Sequence, residues 1–300
     1  MAPVSTHPST VAPTSWLTGP FGIALLVVAW GSTFTAIEVG LDHAPPILFG
    51  GIRSVLGGAL VGVVAWVRTG PPDLRRTWKV LTVLTWWSVV VFFTLQTLAI
   101  DELPSGLAAV LIYLQPLLVA VIAWRLLDES MDVAKVAGLV IGLTGIVLVG
   151  SGAFEGVISA AGVAYAVLGA LAWAIGTVVF KRHHENLDVL WAVAIPFFVG
   201  GIVLTALGAV TEGTTISWSP GFVAALAYTA VIGTALAWGL WLGLVADGEA
   251  GRASSYIFMV PVVALVLGVV FLGETFRMTL VGGSVLVVLG VYLVNRRRVR

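Results

Sequence analysis

The sequence predicts an all-α integral membrane protein whose ten transmembrane helices form two inverted five-helix repeats, with both termini cytoplasmic. Three observations carry that prediction. The chain is too apolar for water, its basic residues fall almost wholly on one side of the predicted spans, and its second half repeats the first at an offset of 145 residues.

Hydrophobic residues make up 59% of the 300 and charged residues 10%, with a mean hydropathy of +1.07; a soluble domain carries about 45–50% and about 25%. Such a chain lacks the polar groups to cover its own surface, so lipid is its expected surrounding partner. The balance of 15 basic and 15 acidic residues argues against a nucleic-acid partner. Absence of cysteine removes disulfides, thiolate nucleophiles and cysteine-ligated metals. There is no HExxH run, no deep Ser and His pair and no deep aspartate for an intramembrane enzyme to use, and no metal or cofactor is expected.

Residues 1–19, rich in Ser, Thr, Pro and Ala and without Lys or Arg, read as a disordered cytoplasmic tail. No basic stretch precedes the first apolar run, unlike a cleaved signal peptide. Apolar spans then recur at 20–39, 46–67, 79–99, 105–127 and 133–150, and again at 160–180, 189–210, 220–245, 252–272 and 278–294. Each is near the roughly 20 residues that cross about 30 Å of hydrocarbon. Helix follows for all of them, because a lipid-exposed segment must satisfy its own backbone and the alternation of barrel strands is missing. The first repeat covers 20–150 and the second 151–295, and 296–300 is a basic cytoplasmic tail.

One side of these spans holds Arg68, Arg75, Arg76, Lys79, Arg125, Lys135, Lys181, Arg182, Arg252 and the Arg296–Arg298 and Arg300 cluster, while the other holds Arg277. By the positive-inside rule the basic side, with both termini, is cytoplasmic.

At an offset of 145, Gly106 falls on Gly251, Ile112 on Ile257, Tyr113 on Phe258, Pro116 on Pro261, Glu129 on Glu274, Gly138 on Gly283 and Gly145 on Gly290. At 143, Trp30 falls on Trp173 and the pair Gly57, Gly58 on Gly200, Gly201. Five spans per half is an odd number, so the second half enters from the opposite face. Inverted repeats of this kind build secondary transporters around a central site.

These residues resemble the EamA-type branch of the drug/metabolite transporter superfamily. The resemblance rests on AWGSTF from Ala29, the PPILFGGIRSVLGGAL stretch from Pro45, LQPLL from Leu114, and the turns ending at Glu129 and Glu274. It implies ten helices in two five-helix repeats in the cell's inner (plasma) membrane, and export of small organic metabolites. The nearest analogy is with bacterial exporters of amino acids, aromatic ones included, working by alternating access. Amines, nucleosides, lipophilic cations and a channel-like pore of the same topology are the alternatives.

Polar and aromatic residues at depth are the candidate binding groups. In span one, Trp30, Ser32 and Thr33 either open the helix toward a ligand or have hydroxyls that bond back to the preceding turn. Tyr113 and Gln115 precede Pro116, and Tyr256 and Met259 precede Pro261, so the two prolines are hinges facing one cavity or plain structural kinks. Trp86 and Trp87 in span three, Trp173, and Trp238 with Trp241 in span eight lie deep enough to stack on a substrate or simply to pack. Trp16, Trp66, Trp78, Trp124 and Trp218 sit near span ends, where indole rings form an interfacial belt. Gln96 offers an amide to a zwitterion. Glu38 and Arg53 are within reach of each other as a structural or proton-coupling ion pair, or Arg53 binds a substrate carboxylate. Small residues four apart, Gly58 and Gly62, then Gly138 and Gly142, permit close helix approach within the fold or at a homodimer face.

Overall fold

The structure, a computed structural model, describes residues 19–103, 108, 111–150, 159–271 and 278–296. The predicted N-terminal tail up to residue 18, residues 297–300, Gly106, Arg277 and the turn ending at Glu274 lie outside the described residues. All regular structure among the described residues is helical.

The helices are α1 (Pro20–Leu41), α2 (Pro46–Thr69), α3 (Leu74–Glu102), α4 (Gln115–Leu126), α5 (Val133–Gly150), α6 (Ala160–His183), α7 (Val189–Thr211), α8 (Pro220–Asp247), α9 (Ala250–Tyr256), α10 (Met259–Phe271) and α11 (Met278–Asn295). Six stretches among the described residues are long and apolar enough to cross a membrane: Pro20–Leu41, Pro46–Thr69, Leu74–Glu102, Ala160–Asn186, Val189–Thr211 and Pro220–Asp247. Shorter apolar helices accompany them at Gln115–Leu126, Val133–Leu148 and Val281–Asn295.

Local sequence explains the ends. Proline stands at the first helical position of α1, α2 and α8, where its missing N–H would be unpaired anyway. Asp73, Ser159, Asp188 and Ser219 accept from the backbone N–H groups of Arg76, Gly162, Trp191 and Phe222 and so cap α3, α6, α7 and α8. Gly70 (φ 73°) follows α2 and Gly213 (φ 92°) follows α7, two turns that need the left-handed backbone only glycine adopts freely.

The most extensive helix pairs are α2 with α7 and α5 with α11. Both seams are made by glycine. Gly58 lies on the Phe197–Phe198 backbone, Gly201 on Val55 and the Gly51 carbonyl, and Gly208 on Leu48. Gly138 and Gly142 meet Gly290, and Gly145 meets the Gly283 carbonyl. The close approach that Gly58, Gly138 and Gly142 permit is thus spent inside the chain, and a Cβ placed on Gly62 would meet Ala194 at 3.8 Å, an ordinary contact. Other contacts come in matching pairs: α1 packs on α8 as α6 packs on α3, and α1 on α10 as α6 on α4. Aliphatic and aromatic side chains such as Val63, Trp66, Val67, Val210 and Val288 face outward, as the lipid-facing surface of a membrane protein requires.

Both long helices α3 and α8 change pitch in the middle. Thr85–Val91 and Thr229–Leu236 are π-helical, a rare conformation that concentrates at functional sites. The halves beyond them, Phe92–Glu102 and Ala237–Asp247, correspond residue for residue at the 145 offset. A second symmetric interruption precedes the two prolines: the chain turns at Tyr113–Leu114 before α4 and at Ile257–Phe258 between α9 and α10.

Gly201→Leu forces a branched side chain against backbone in the α2–α7 seam. We expect it to lose about 1–3 kcal/mol, as overpacking does, seen as a lowered Tm in detergent. Gly239→Ala, where a Cβ meets nothing within 4 Å, should leave Tm unchanged or raise it.

Candidate functional site

The bundle encloses a cavity between α1, α2, α3, α6 and α8, close to both π-helical segments. Its lining consists of Trp30, Thr33, Phe34, Ile37, Arg53, Phe92, Phe93, Gln96, Ile112, Tyr113, Trp173, Gly233 and Trp238. The volume is about 40 Å³, room for a few waters at roughly 10–15 Å³ each and too little for an amino acid.

Aromatic rings dominate the walls. Trp30 lies 5.4 Å from Trp173 at an interplanar angle of 86°, and 5.8 Å from both Trp238 and Trp241. Trp173 is 6.0 Å from Trp238 and 5.8 Å from Trp241, so the four indoles form one connected group, of which Trp30, Trp173 and Trp238 line the cavity. Phe92 adds a ring 5.2 Å from Trp173, Phe93 one 6.3 Å from Trp238, and Phe197 one 4.9 Å from Trp238. Edge-to-face and tilted pairs of this kind are each worth about 0.5–1.5 kcal/mol beyond the area they bury. The group is related across the chain: Trp30 and Trp173 are 143 residues apart, Phe93 and Trp238 are 145 apart, and so are Gln96 and Trp241.

Close backbone approach positions these rings. Gly233, in the π-helical segment of α8, lies against Thr33, and its carbonyl accepts from Trp30 Nε1 at 3.3 Å. In the related contact Gly176 of α6 lies against Ser88 in the π-helical segment of α3. Thr33 corresponds to Gly176 and Ser88 to Gly233, so the first half supplies both hydroxyls and the second both glycines.

Polar groups are few. Arg53 is 3% exposed, holds its guanidinium 4.7 Å over the Phe93 ring, and approaches Gln96 Oε1 through Nη2 at 3.5 Å. Gln115 Nε2 donates to Thr177 Oγ1 at 3.3 Å behind the cavity wall. Arg53 Nε, Trp173 Nε1, Trp241 Nε1 and Gln115 Oε1 are buried without a hydrogen-bond partner. None of the cavity-lining residues is Asp or Glu.

Several sequence expectations are corrected. Arg53 does not pair with Glu38, which is exposed while its neighbour Ile37 faces inward; the two charges occupy different sides of α1. Trp86 is 54% exposed and so faces away from the cavity. Trp87 packs half-buried against the core without lining the cavity. Ser32 and Thr33 bond back to the carbonyls of Val28 and Ala29, and the Ser32 and Tyr228 hydroxyls are 2.7 Å apart. Tyr256 and Met259 are half-buried outside the cavity, and Pro116 and Pro261 are buried beside the two chain breaks. Trp66, Trp78, Trp124 and Trp218 are exposed, and Trp16 lies outside the described residues. Phe34, Ile37, Phe92, Phe93 and Ile112 are lining residues that the sequence reading did not select; the 145-residue correspondence of Phe93 with Trp238 is the signal that could have found one of them.

One end of the bundle is fastened across the two halves. The Glu129 carboxylate accepts from the N–H groups of Ala250 (2.6 Å) and Gly251 (3.1 Å) at the start of α9. Lys135 Nζ bridges Glu129 at 3.2 Å and Glu249 at 3.4 Å, and Arg252 adds a contact to Glu249 at 3.3 Å. At the other end Glu212 accepts from Ile47 and Leu48 N–H at 2.9 and 3.2 Å. Each carboxylate caps a helix belonging to the opposite half.

The EamA-like transporter family model matches this sequence twice, over residues 17–151 and 160–296. The chain is 36% identical to the uncharacterised transporter YvbV of Bacillus subtilis over 276 residues, covering 92% of this chain and 90% of that one. It is 27% identical to a probable amino-acid metabolite efflux pump of Salmonella typhimurium, covering 90% and 92%. It is 29% identical to the uncharacterised inner membrane transporter YedA of Escherichia coli, covering 89% and 90%. A crystal structure of another protein superposes with a TM-score of 0.79 over 91% of this chain and 94% of that one at 21% identity, a likeness of fold.

Glu129→Ala removes two helix-capping acceptors and one partner of the buried Lys135. Breaking a buried pair on one side costs about 3–5 kcal/mol, so thermal unfolding should fall clearly below wild type. Glu38→Ala, at an exposed site without an ion pair among those described, should unfold as wild type does.

Proposed function

The chain belongs to the EamA-like transporter family, and on that premise we propose that it is a secondary carrier of amino acids, aromatic and large apolar ones among them, that works by alternating access. The family and the relatives' names make it a membrane transporter of metabolites. The finer reading rests on one observation: Trp30, Trp173 and Trp238 with Phe92 and Phe93 line a cavity whose polar groups include a guanidinium and a carboxamide. Indole and phenyl faces stack on an aromatic or bulky apolar side chain, and the amide and guanidinium serve the polar end. The Salmonella typhimurium relative's name supports the same substrate class.

In this reading ten spans form two inverted repeats, 20–150 and 151–295, with both termini cytoplasmic. Support comes from the doubled family match, the paired helix contacts, the corresponding π-helical segments and the corresponding breaks before Pro116 and Pro261. Transport is a rocking of one half against the other. The Glu129–Lys135–Glu249 cluster is the cytoplasmic fastening of the closed state and the prolines are its hinges. Substrate binding biases the two states according to its differential contacts with each.

Two measurements follow. Counterflow of labelled amino acids into liposomes should be saturable and compete with tryptophan and phenylalanine, and Trp173→Ala or Trp238→Ala should lower it more than tenfold while the Phe variants retain part of it. A folded protein that gives no flux across the panel removes the amino-acid assignment. Because the chain has no cysteine, single replacements report topology directly: in intact cells Thr215→Cys should react with an impermeant thiol reagent and Glu185→Cys should not. The reverse pattern contradicts the assigned orientation.

A further inference from the structure

We propose that Arg53 is the anchor for a substrate carboxylate, so that the site selects organic acids with an aromatic or bulky apolar body and does not require their ammonium group. This rests on the transporter reading above and narrows its substrate class.

Arg53 is 3% exposed and lines the cavity. A guanidinium carries five N–H donors in a planar fork that fits a carboxylate on two bonds. Its surroundings use little of that capacity. The contact from Nη2 to Gln96 Oε1 is long, 3.5 Å, and its acceptor is neutral; Nε has no partner. The Phe93 face attracts the charge without neutralising it. No ion pair among the described residues includes Arg53, Glu38 is turned away, and the lining residues contain no carboxylate. Buried charges are ordinarily paired, and in this chain the missing anion is one that the cavity would receive on widening.

The same census decides the rest of the ligand. An amino acid brings a positive as well as a negative group, yet among the lining residues the cavity offers no anion to receive the ammonium. Indole faces tolerate a cation but do not demand one. A carboxylate gains a bidentate partner, with the Gln96 amide beside it as a second donor. A phosphate ester, with up to two charges, meets one cation inside a ring of hydrocarbon. The site therefore fits a monocarboxylate such as a 3-arylpropionate at least as well as the corresponding amino acid, and it rejects the corresponding amine.

The test is binding of four indole compounds to purified protein, read by thermal shift and by competition: L-tryptophan, indole-3-propionate, tryptamine and tryptophanol. We expect both carboxylates to raise Tm and to bind at least tenfold more tightly than tryptamine and tryptophanol. Arg53→Lys should weaken the carboxylates tenfold or more, and Arg53→Met should abolish the preference. Arg53→Met should also match or exceed the Tm of ligand-free wild type, because it removes an uncompensated buried charge; a purely structural arginine would give a lower Tm. Equal binding of tryptamine and the carboxylates, a preference that survives in Arg53→Met, or no binding of either carboxylate to folded wild type overturns the proposal. Indole-3-propionate bound through Arg53 without tryptophan sinks the amino-acid reading and leaves the anchor standing. Tryptophan carried at unchanged affinity by Arg53→Met does the opposite.

Discussion

A hydrocarbon bilayer offers no water to a backbone N–H or carbonyl, so a chain that lives there must satisfy its polar groups from within. Most of this molecule obeys by the simplest means. Threonine and serine hydroxyls along the helices bond back to carbonyls three or four residues earlier, as at Thr33, Ser54, Thr85, Thr97, Thr177 and Thr229. Several departures from the rule gather in one place: the π-helical segments of α3 and α8, the break at Tyr113–Leu114 and the unpartnered polar atoms of Arg53 and Trp173 lie at or beside the aromatic cavity.

Convergence of that kind gives the site its physical character. The aromatic rings supply attraction that does not depend on water, and the glycines at positions 176 and 233 bring α1, α3, α6 and α8 close enough for the rings to meet. Glycine seams between α2 and α7 and between α5 and α11 hold the periphery. Packing this tight is bistable and not continuously deformable, which suits a carrier whose halves switch between two arrangements. The polar fastenings at the two ends, through Glu129 and Glu212, are made across the halves, where a rocking carrier of the kind proposed would break and form them.

Much of this was legible in the sequence. Apolar length gave the helices, and offsets of 143 and 145 residues linked Trp30 to Trp173 and Pro116 to Pro261, the residues around which the cavity and the breaks are built. Depth in a span was the weaker guide. It could not separate Trp86 from a cavity residue, because only the facing of the helix, set by the π-helical segment, decides which of two adjacent indoles points inward. Proximity in sequence paired Glu38 with Arg53 on charge alone, whereas the helix turns Glu38 outward. Phe92 and Phe93 were passed over because phenylalanine is common in any apolar span; only the correspondence of Phe93 with Trp238 distinguishes it. The role of Glu129 as a cap on α9 depends on a contact 121 residues away, which no local pattern contains.

The account makes the cavity a compartment that opens to each side of the membrane in turn. Thr33 lines it and is 4% exposed, and the chain offers no competing thiol. A Thr33→Cys protein in oriented vesicles, treated with an impermeant thiol reagent from one side or the other, reports that opening directly. The account predicts labelling from both sides at rates that a transported substrate changes in opposite senses. Labelling confined to one side whatever the ligand, or a substrate effect of the same sign on both sides, would contradict it.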